Sequence, residues 1–274
     1  GTSHAGIMIL PADVKVGKLA VDYFQPYEDI IYEIGLTPNR MDAMSHWGVA
    51  RDVCAYLNHH DKKDYKPISP QARPNGNGFK IDNTSLTIDV KVENEAACPR
   101  YSGISIANAT IKESPKWLQQ KLKAIGLRPI NNIVDITNFI QHETGQPLHA
   151  FDADKIAGRK IIIKNLPEGT PFITLDEKER KLNAEDLMIC DEKEGMCIAG
   201  VFGGLHSGVT STTKNIFLES ACFDGITLRK TSFRQGLRTD AASRFEKGTD
   251  ISNTVNVLKR AAILIKEIAG GELA

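Results

Sequence analysis

Apolar and polar positions along this chain change period several times, and each change marks an element. Trp47, Ala50, Val53, Cys54 and Leu57 recur three or four residues apart, the spacing of one helical face, behind Asp42 or Ser45 as N-cap. Leu86, Ile88, Val90 and Val92 then alternate with Thr87, Asp89 and Lys91, the period of a half-buried strand. Tyr101 to Ile111 reads as a second strand. Ser114 as N-cap and Pro115 at the first position open a helix that Gly126 stops, with Trp117, Leu118, Leu122 and Ile125 as its apolar stripe. Another helix is expected from Asn132 to about Glu143, ending at Gly145. Apolar runs at 160–164, 172–175, 187–190, 196–201 and 216–219 read as strands between polar turns. The chain closes on a long helix, about Ser252 to Ala269, with Val255, Leu258, Ala262, Ile265 and Ile268 in one stripe and Gly270-Gly271 as its stop.

Residues 7–36, punctuated by Pro11, Gly17, Pro26 and Gly35, predict short strands and turns. The stretch 67–80 carries Pro67, Pro70, Pro74, Gly76, Asn77 and Gly78, the composition of a linker. The expected division is therefore 1–66, a linker at 67–80, and a larger domain at 81–274. Several strands followed by isolated helices, without regular βαβ alternation, predict an α+β fold. Gly1-Thr2-Ser3-His4, with no initiator methionine, reads as a cloning remnant.

Composition narrows the classes. The chain is 41% hydrophobic and 25% charged, which is ordinary for a soluble globular protein. No run approaches the roughly twenty apolar residues of a membrane span. Five cysteines without a CxxC pair argue against a disulfide framework or a structural zinc site, so a cytoplasmic location is expected. His59-His60-Asp61 lacks a third ligand at metal spacing. The 34 basic and 34 acidic side chains balance to zero, whereas a protein that grips nucleic acid unaided carries a basic excess. If RNA is a partner, most of the grip must come from elsewhere or from a local patch, for which Arg229, Lys230, Arg234, Arg238, Arg244 and Lys247 are the candidates.

Candidate chemistry gathers in residues 200–248. Gly200, Gly203, Gly204 and Gly208 let backbone approach a ligand closely, although a tight turn alone explains such glycines. Neither GxxxxGK[ST] nor GxGxxG occurs, which argues against a nucleotide-triphosphate site. Glu219 ends an apolar run. If buried it must be paired, hydrogen-bonded or protonated, and a salt bridge to a nearby arginine is the plain alternative to a ligand contact. His149 lies in a presumed loop with Asp152 three residues on, either to orient it or to cap the next element. No GxSxG or catalytic cysteine signature points to a covalent nucleophile. Taken singly, none of these residues identifies a function.

Their order does. TPNRMDAMSHWGVARD, CPRYSGISI, NIVDITNFI, GQPLHAFD, AGVFGGLHSG, LESACF and GLRTDAASRFEKGTD, in that sequence across nearly the whole chain, resemble the beta-subunit family of bacterial phenylalanyl-tRNA synthetases. The resemblance implies an internal fragment. It would hold the part of the first domain that follows the oligonucleotide-binding insertion, then the third and fourth domains. In that family these two domains form a layered β-sandwich with packed helices, and the piece before them implies a small N-terminal α+β unit. They carry an editing site that hydrolyses tyrosine mischarged onto phenylalanine tRNA. By motif, His149 and Thr239 would be the catalytic residues, with Gly203, Gly204, Glu219 and Ala241 binding the substrate. Met41 stands where a proline is common, and Ala242 where a serine is common.

The resemblance also implies partners and cofactors outside this stretch. The complete enzyme would be an α2β2 heterotetramer that attaches phenylalanine to its tRNA with ATP and magnesium. This fragment would use no cofactor and no metal, and would meet the tRNA and the alpha subunit but no membrane. Two other classes stay open: a non-catalytic structural or RNA-binding module, and an unrelated small-molecule hydrolase.

Overall fold

A computed structural model describes residues 6–70 and 79–274. The core of the expected linker, 71–78, and most of the opening tetrapeptide's neighbourhood, residues 1–5, lie outside the described residues. The Cα positions divide the chain into two compact units, Gly1–Glu33 and Ile34–Ala274.

The first unit holds one short helix, α1 (Ala20–Phe24), and no strand among its described residues. This corrects the expectation of short strands at 7–36 and of a small α+β piece at the N-terminus. Ile7 and Ile9 are 95% and 91% exposed, so their apolar side chains meet no second layer. A strand needs a ladder partner for its backbone N–H and C=O groups, and none is supplied here.

The second unit begins with α2 (His46–His60), capped by Ser45, whose hydroxyl accepts the Gly48 N–H. Strands β1 (Asp89–Val92) and β2 (Arg100–Ala107) follow, then α3 (Lys116–Ala124), α4 (Asn132–Thr144) and β3 (His149–Asp152). The middle of the chain is β4 (Lys160–Asn165), β5 (Pro171–Ile173), β6 (Glu179–Lys181), β7 (Leu187–Cys190), β8 (Gly195–Ile198), β9 (Phe202–Gly203) and β10 (Ile216–Cys222). Helices α5 (Gly225–Gln235), α6 (Asp240–Lys247) and α7 (Thr254–Ala269) precede a last short strand, β11 (Glu272–Leu273).

The strands build two principal sheets. One runs β1-β4-β7-β8-β9, with β1 parallel to β4 and the other pairs antiparallel. The other is antiparallel throughout, in the order β11-β2-β10-β3. Strands β5 and β6 form a separate hairpin. The period of two along β10 divides its side chains. Ile216 and Leu218 pack with Leu118, Ile136, Ile140, Val257 and Ile265 of the helices. Phe217 and Ala221 pack with Ile161, Met188, Ile189 and Ile198 of the first sheet. The unit is thus helices on sheet on sheet: the α+β class that the strand and helix pattern predicts, in the layered form that the resemblance implies. All seven residues of β10 are buried, because it is paired along both edges and covered on both faces.

Two details differ from the sequence reading. Ser114 does not cap α3; its hydroxyl donates to Asp135 Oδ2, at 2.5 Å, in a buried contact with α4. The α2 stripe is only partly covered, Val53 being 50% exposed, because the contact that docks this helix on α4 is at its first turn, where His46 Nδ1 lies 3.1 Å from the His142 carbonyl oxygen. Arg40, ahead of α2, is ion-paired to Asp42 and Asp52.

Candidate functional site

The face of β10 turned toward the first sheet carries the candidate chemistry. Glu219 shares that face with Phe217 and Ala221 and is 4% exposed. Across the ladder its register partner on β3 is His149, and on β2 it is Gly103. Gly103 lets a neighbour come close: a Cβ there would lie 2.2 Å from Cζ of Phe217. Two positions along, on the same face of β2, Tyr101 reaches diagonally and donates its phenol proton to Glu219 Oε2 at 2.8 Å.

Among the described residues no arginine pairs with Glu219, and the salt bridge raised as the plain alternative does not form there. Burial pushes the Glu219 carboxyl up to about 8, with the Tyr101 hydrogen bond opposing the rise. Burial alone lowers His149 to about 4. Both groups are therefore mostly neutral at pH 7. The His149 ring packs edge-on against Phe151, centroids 4.4 Å apart, and its Nε2 is buried without a hydrogen-bond partner. His149 sits in a strand and not in the loop expected for it. Asp152 does not orient the ring. One of its oxygens caps the turn at Asp154 and the other accepts from Thr213 at 2.6 Å.

The glycine turn abuts His149. A Cβ on Gly203 would lie 3.2 Å from His149 Cε1 and 2.8 Å from Leu175 Cδ1, so the close approach requires glycine or displaces these side chains. Gly204 donates its N–H to the Met196 carbonyl at 2.9 Å, which removes it as a donor to a ligand.

Thr239 caps α6, accepting from the Ala242 N–H at 3.0 Å while donating to the Val201 carbonyl at 3.1 Å. Its one hydroxyl proton is thereby spent, and the same bond fixes the head of α6 beside the glycine turn. Ala241 packs against the cluster that includes Val201. The Ala242 and Ser243 N–H groups go to Thr239, which leaves Asp240 and Ala241 at the head of the helix as first-turn donors without intrahelical partners.

The structure therefore sets His149 and Glu219 opposite each other across the ladder, sets Gly203 against His149, and ties Thr239 to the same turn through Val201. Gly204 touches the group from its far neighbour, lining a cleft of about 880 Å³ with Phe172, Met196 and His206 that includes none of His149, Glu219, Thr239 or Ala241. Tyr101 was missed by sequence reasoning. The signal available was its place in CPRYSGISI, two residues before a glycine on a predicted strand.

Half of the proposed basic patch is ion-paired within the fold. Arg234 pairs with Asp186 and Glu185, Arg238 with Glu246, and Arg244 is buried against Asp240 and His142. Arg229, Lys230 and Lys247 stay exposed.

Comparison with known proteins identifies the family. The phenylalanine–tRNA ligase beta subunit of Bacteroides thetaiotaomicron is 55% identical over 274 residues, covering 100% of this chain and 33% of that protein. The subunit of the same name from Porphyromonas gingivalis is 53% identical over 274 residues, with 100% and 33% covered. The chain thus spans about a third of the length of these relatives. An N-terminal fragment of the phenylalanyl-tRNA synthetase beta-subunit from Pyrococcus horikoshii superposes with a TM-score of 0.40 at 16% identity, over 73% of this chain and 60% of that one. The B3/4 domain family matches residues 97–270. That span contains Tyr101, His149, Gly203, Glu219, Thr239 and Ala241 together with the strands and helices that position them, and the chain belongs to the B3/4 domain family.

Proposed function

We propose that this chain is the editing portion of a phenylalanyl-tRNA synthetase beta subunit, hydrolysing the ester of tyrosine mischarged onto phenylalanine tRNA. The observation that carries the reading is a buried carboxyl, Glu219, in ladder register with an unpartnered buried imidazole, His149. Tyrosine and phenylalanine differ by one hydroxyl, and an apolar synthetic pocket rejects an added hydroxyl poorly. A second pocket with a hydrogen-bonding carboxyl reverses the preference. Because Glu219 is mostly protonated at neutral pH, the bond is between neutral groups and contributes about 0.5–1.5 kcal/mol, or up to roughly tenfold selection.

The hydrolytic step needs a placed water and no side-chain nucleophile, since the aminoacyl ester is already labile. Neutral His149 accepts a hydrogen bond from that water at Nε2. The N–H groups of Asp240 and Ala241 at the head of α6 stabilise the oxyanion. Thr239 acts by holding that helix end in place, and its remaining lone pair is available to a water proton. The chain uses no metal or cofactor for this step. ATP and magnesium serve aminoacylation by the complete α2β2 enzyme, in which this portion meets the tRNA and the alpha subunit in the cytoplasm.

His149→Ala and Glu219→Ala variants test the reading by deacylation of Tyr-tRNA. The expected result is a rate at least tenfold lower in His149→Ala and a lost preference for tyrosine over phenylalanine in Glu219→Ala. Wild-type behaviour in both sinks it. A second reading, a non-catalytic structural or RNA-binding module, is favoured by one observation: the 880 Å³ cleft does not reach His149 or Glu219. It predicts no deacylation and no preference of the chain for a tyrosyl over a phenylalanyl adenosine mimic.

A further inference from the structure

We infer that Tyr101 is a positioning residue that determines selectivity at this site: its phenol holds one oxygen of Glu219, so that the other is presented to the hydroxyl of a substrate ring. The inference rests on the editing reading above. Its geometric basis is independent of any ligand. Tyr101 and Glu219 lie on adjacent strands, on one face, two ladder positions apart, and Gly103 between them on β2 offers no side chain to intervene. The bond from the Tyr101 hydroxyl to Glu219 Oε2 is 2.8 Å long. A carboxyl buried in an apolar layer without this contact has no fixed rotation about its last torsion, which is broad and roughly two-fold.

The bond also places the proton. With Oε2 accepting from Tyr101, the proton of neutral Glu219 resides on the other oxygen, where it donates to a substrate hydroxyl. After ionisation the same oxygen accepts from that hydroxyl. A phenylalanyl ring offers neither partner, yet Tyr101 keeps the carboxyl from being orphaned. The remaining titratable groups facing Glu219 are His149 on β3, Cys197 on β8 and Cys98 just before β2. None is charged at neutral pH. Burial lowers His149 to about 4, raises Cys98 to about 12 and pushes Cys197 well above its ordinary value. Tyr101 is thus the group whose removal moves Glu219 without removing a charge.

Tyr101→Phe keeps the ring and deletes the hydroxyl. Hydrolysis of Tyr-tRNA and Phe-tRNA by the complete subunit assembly is measured across pH for wild type, Tyr101→Phe, Glu219→Gln and the double variant. The expected result is a tyrosine-to-phenylalanine rate ratio about tenfold lower in Tyr101→Phe, with phenylalanyl ester hydrolysis unchanged. The Glu219 midpoint, followed by carboxyl carbon NMR, rises by about one unit because the hydrogen bond that lowers it is gone. In the Glu219→Gln background the Tyr101 change has no further effect on the ratio. Fluorotyrosine in place of Tyr101, a stronger donor of nearly the same shape, moves the midpoint the other way.

An equal loss on both esters, or an unmoved midpoint in both the phenylalanine and fluorotyrosine forms, overturns the inference and leaves the editing reading intact. A wild type that hydrolyses neither ester overturns the editing reading and this inference with it. If Tyr101→Phe does not fold, the fluorotyrosine form alone decides between these outcomes.

Discussion

The two faces of β10 lie one residue apart in sequence and are equally dry, yet they are built for different ends. Ile216 and Leu218 are both fully buried against helices whose contact residues are leucine, isoleucine, valine and alanine. Glu219, on the opposite face, is 4% exposed and sits with a tyrosine, a histidine and buried cysteines near it. The difference is the chemistry removed from water and not the extent of removal. The helix-facing side gains stability from every methylene it hides. The other side hides a carboxyl without a cation and an imidazole nitrogen without a partner, which costs stability and leaves both groups ready to bind something else.

The largest way to break this contrast is on the helix side. Leu218→Ala removes buried methylenes from a site ringed by three helices, at an expected cost of about 2–5 kcal/mol in denaturant unfolding. The pH profile of the opposite face should not move, because no titratable group is touched.

The site side should reveal itself through pH. Glu219, raised from an ordinary 4.5 to about 8, binds one more proton folded than unfolded across that interval, so the stability it contributes is lost as pH rises through it. His149, lowered from 6.5 to about 4, has the opposite sign, and stability is gained as pH rises from 4 to 6.5. The two roughly cancel up to 6.5. Above that Glu219 acts alone, and stability should fall toward pH 8 by at most ~1.4 kcal/mol per pH unit. Glu219→Gln should abolish this slope; a slope that persists in the variant assigns it to another group.

Gly203→Ala sharpens the contrast at its boundary. The new methyl would meet the ends of Leu175 and His149, which can yield, so the stability cost should sit at the low end of the roughly 1–3 kcal/mol expected of overpacking. Ester hydrolysis should fall by a larger factor than stability predicts, since His149 is displaced. Thr239→Val is the mildest of the four, a cost of about 1 kcal/mol for the lost cap of α6. Thr239→Ser should keep the cap and stay near wild type, as thermal unfolding of the two variants would show.

The sequence by itself determined many of the elements of the second unit, because period and punctuation are local properties, though β3, β6, α5 and α6 escaped it. Asn132 to Gly145, the strand ending near Glu219, and the closing helix with its glycine stop were all legible. Period two also determined that Glu219 shares a face with Phe217. It could not say which face holds ligand chemistry, nor lift His149 or Glu219 above an ordinary core histidine or salt bridge until the order of seven motifs suggested a family.

Tertiary structure decided the partners. Tyr101 meets Glu219 across 118 positions of chain, Ser114 turns from its own helix to Asp135, and Arg234 turns inward to Asp186. The strands expected at 7–36 failed for the same reason, since a ladder partner is a distant segment and no local pattern supplies it. A polar group buried by folding takes whichever partner the packed layers bring within about 3 Å. That choice is made between residues far apart in sequence, and it is what makes the buried carboxyl of β10 a candidate site.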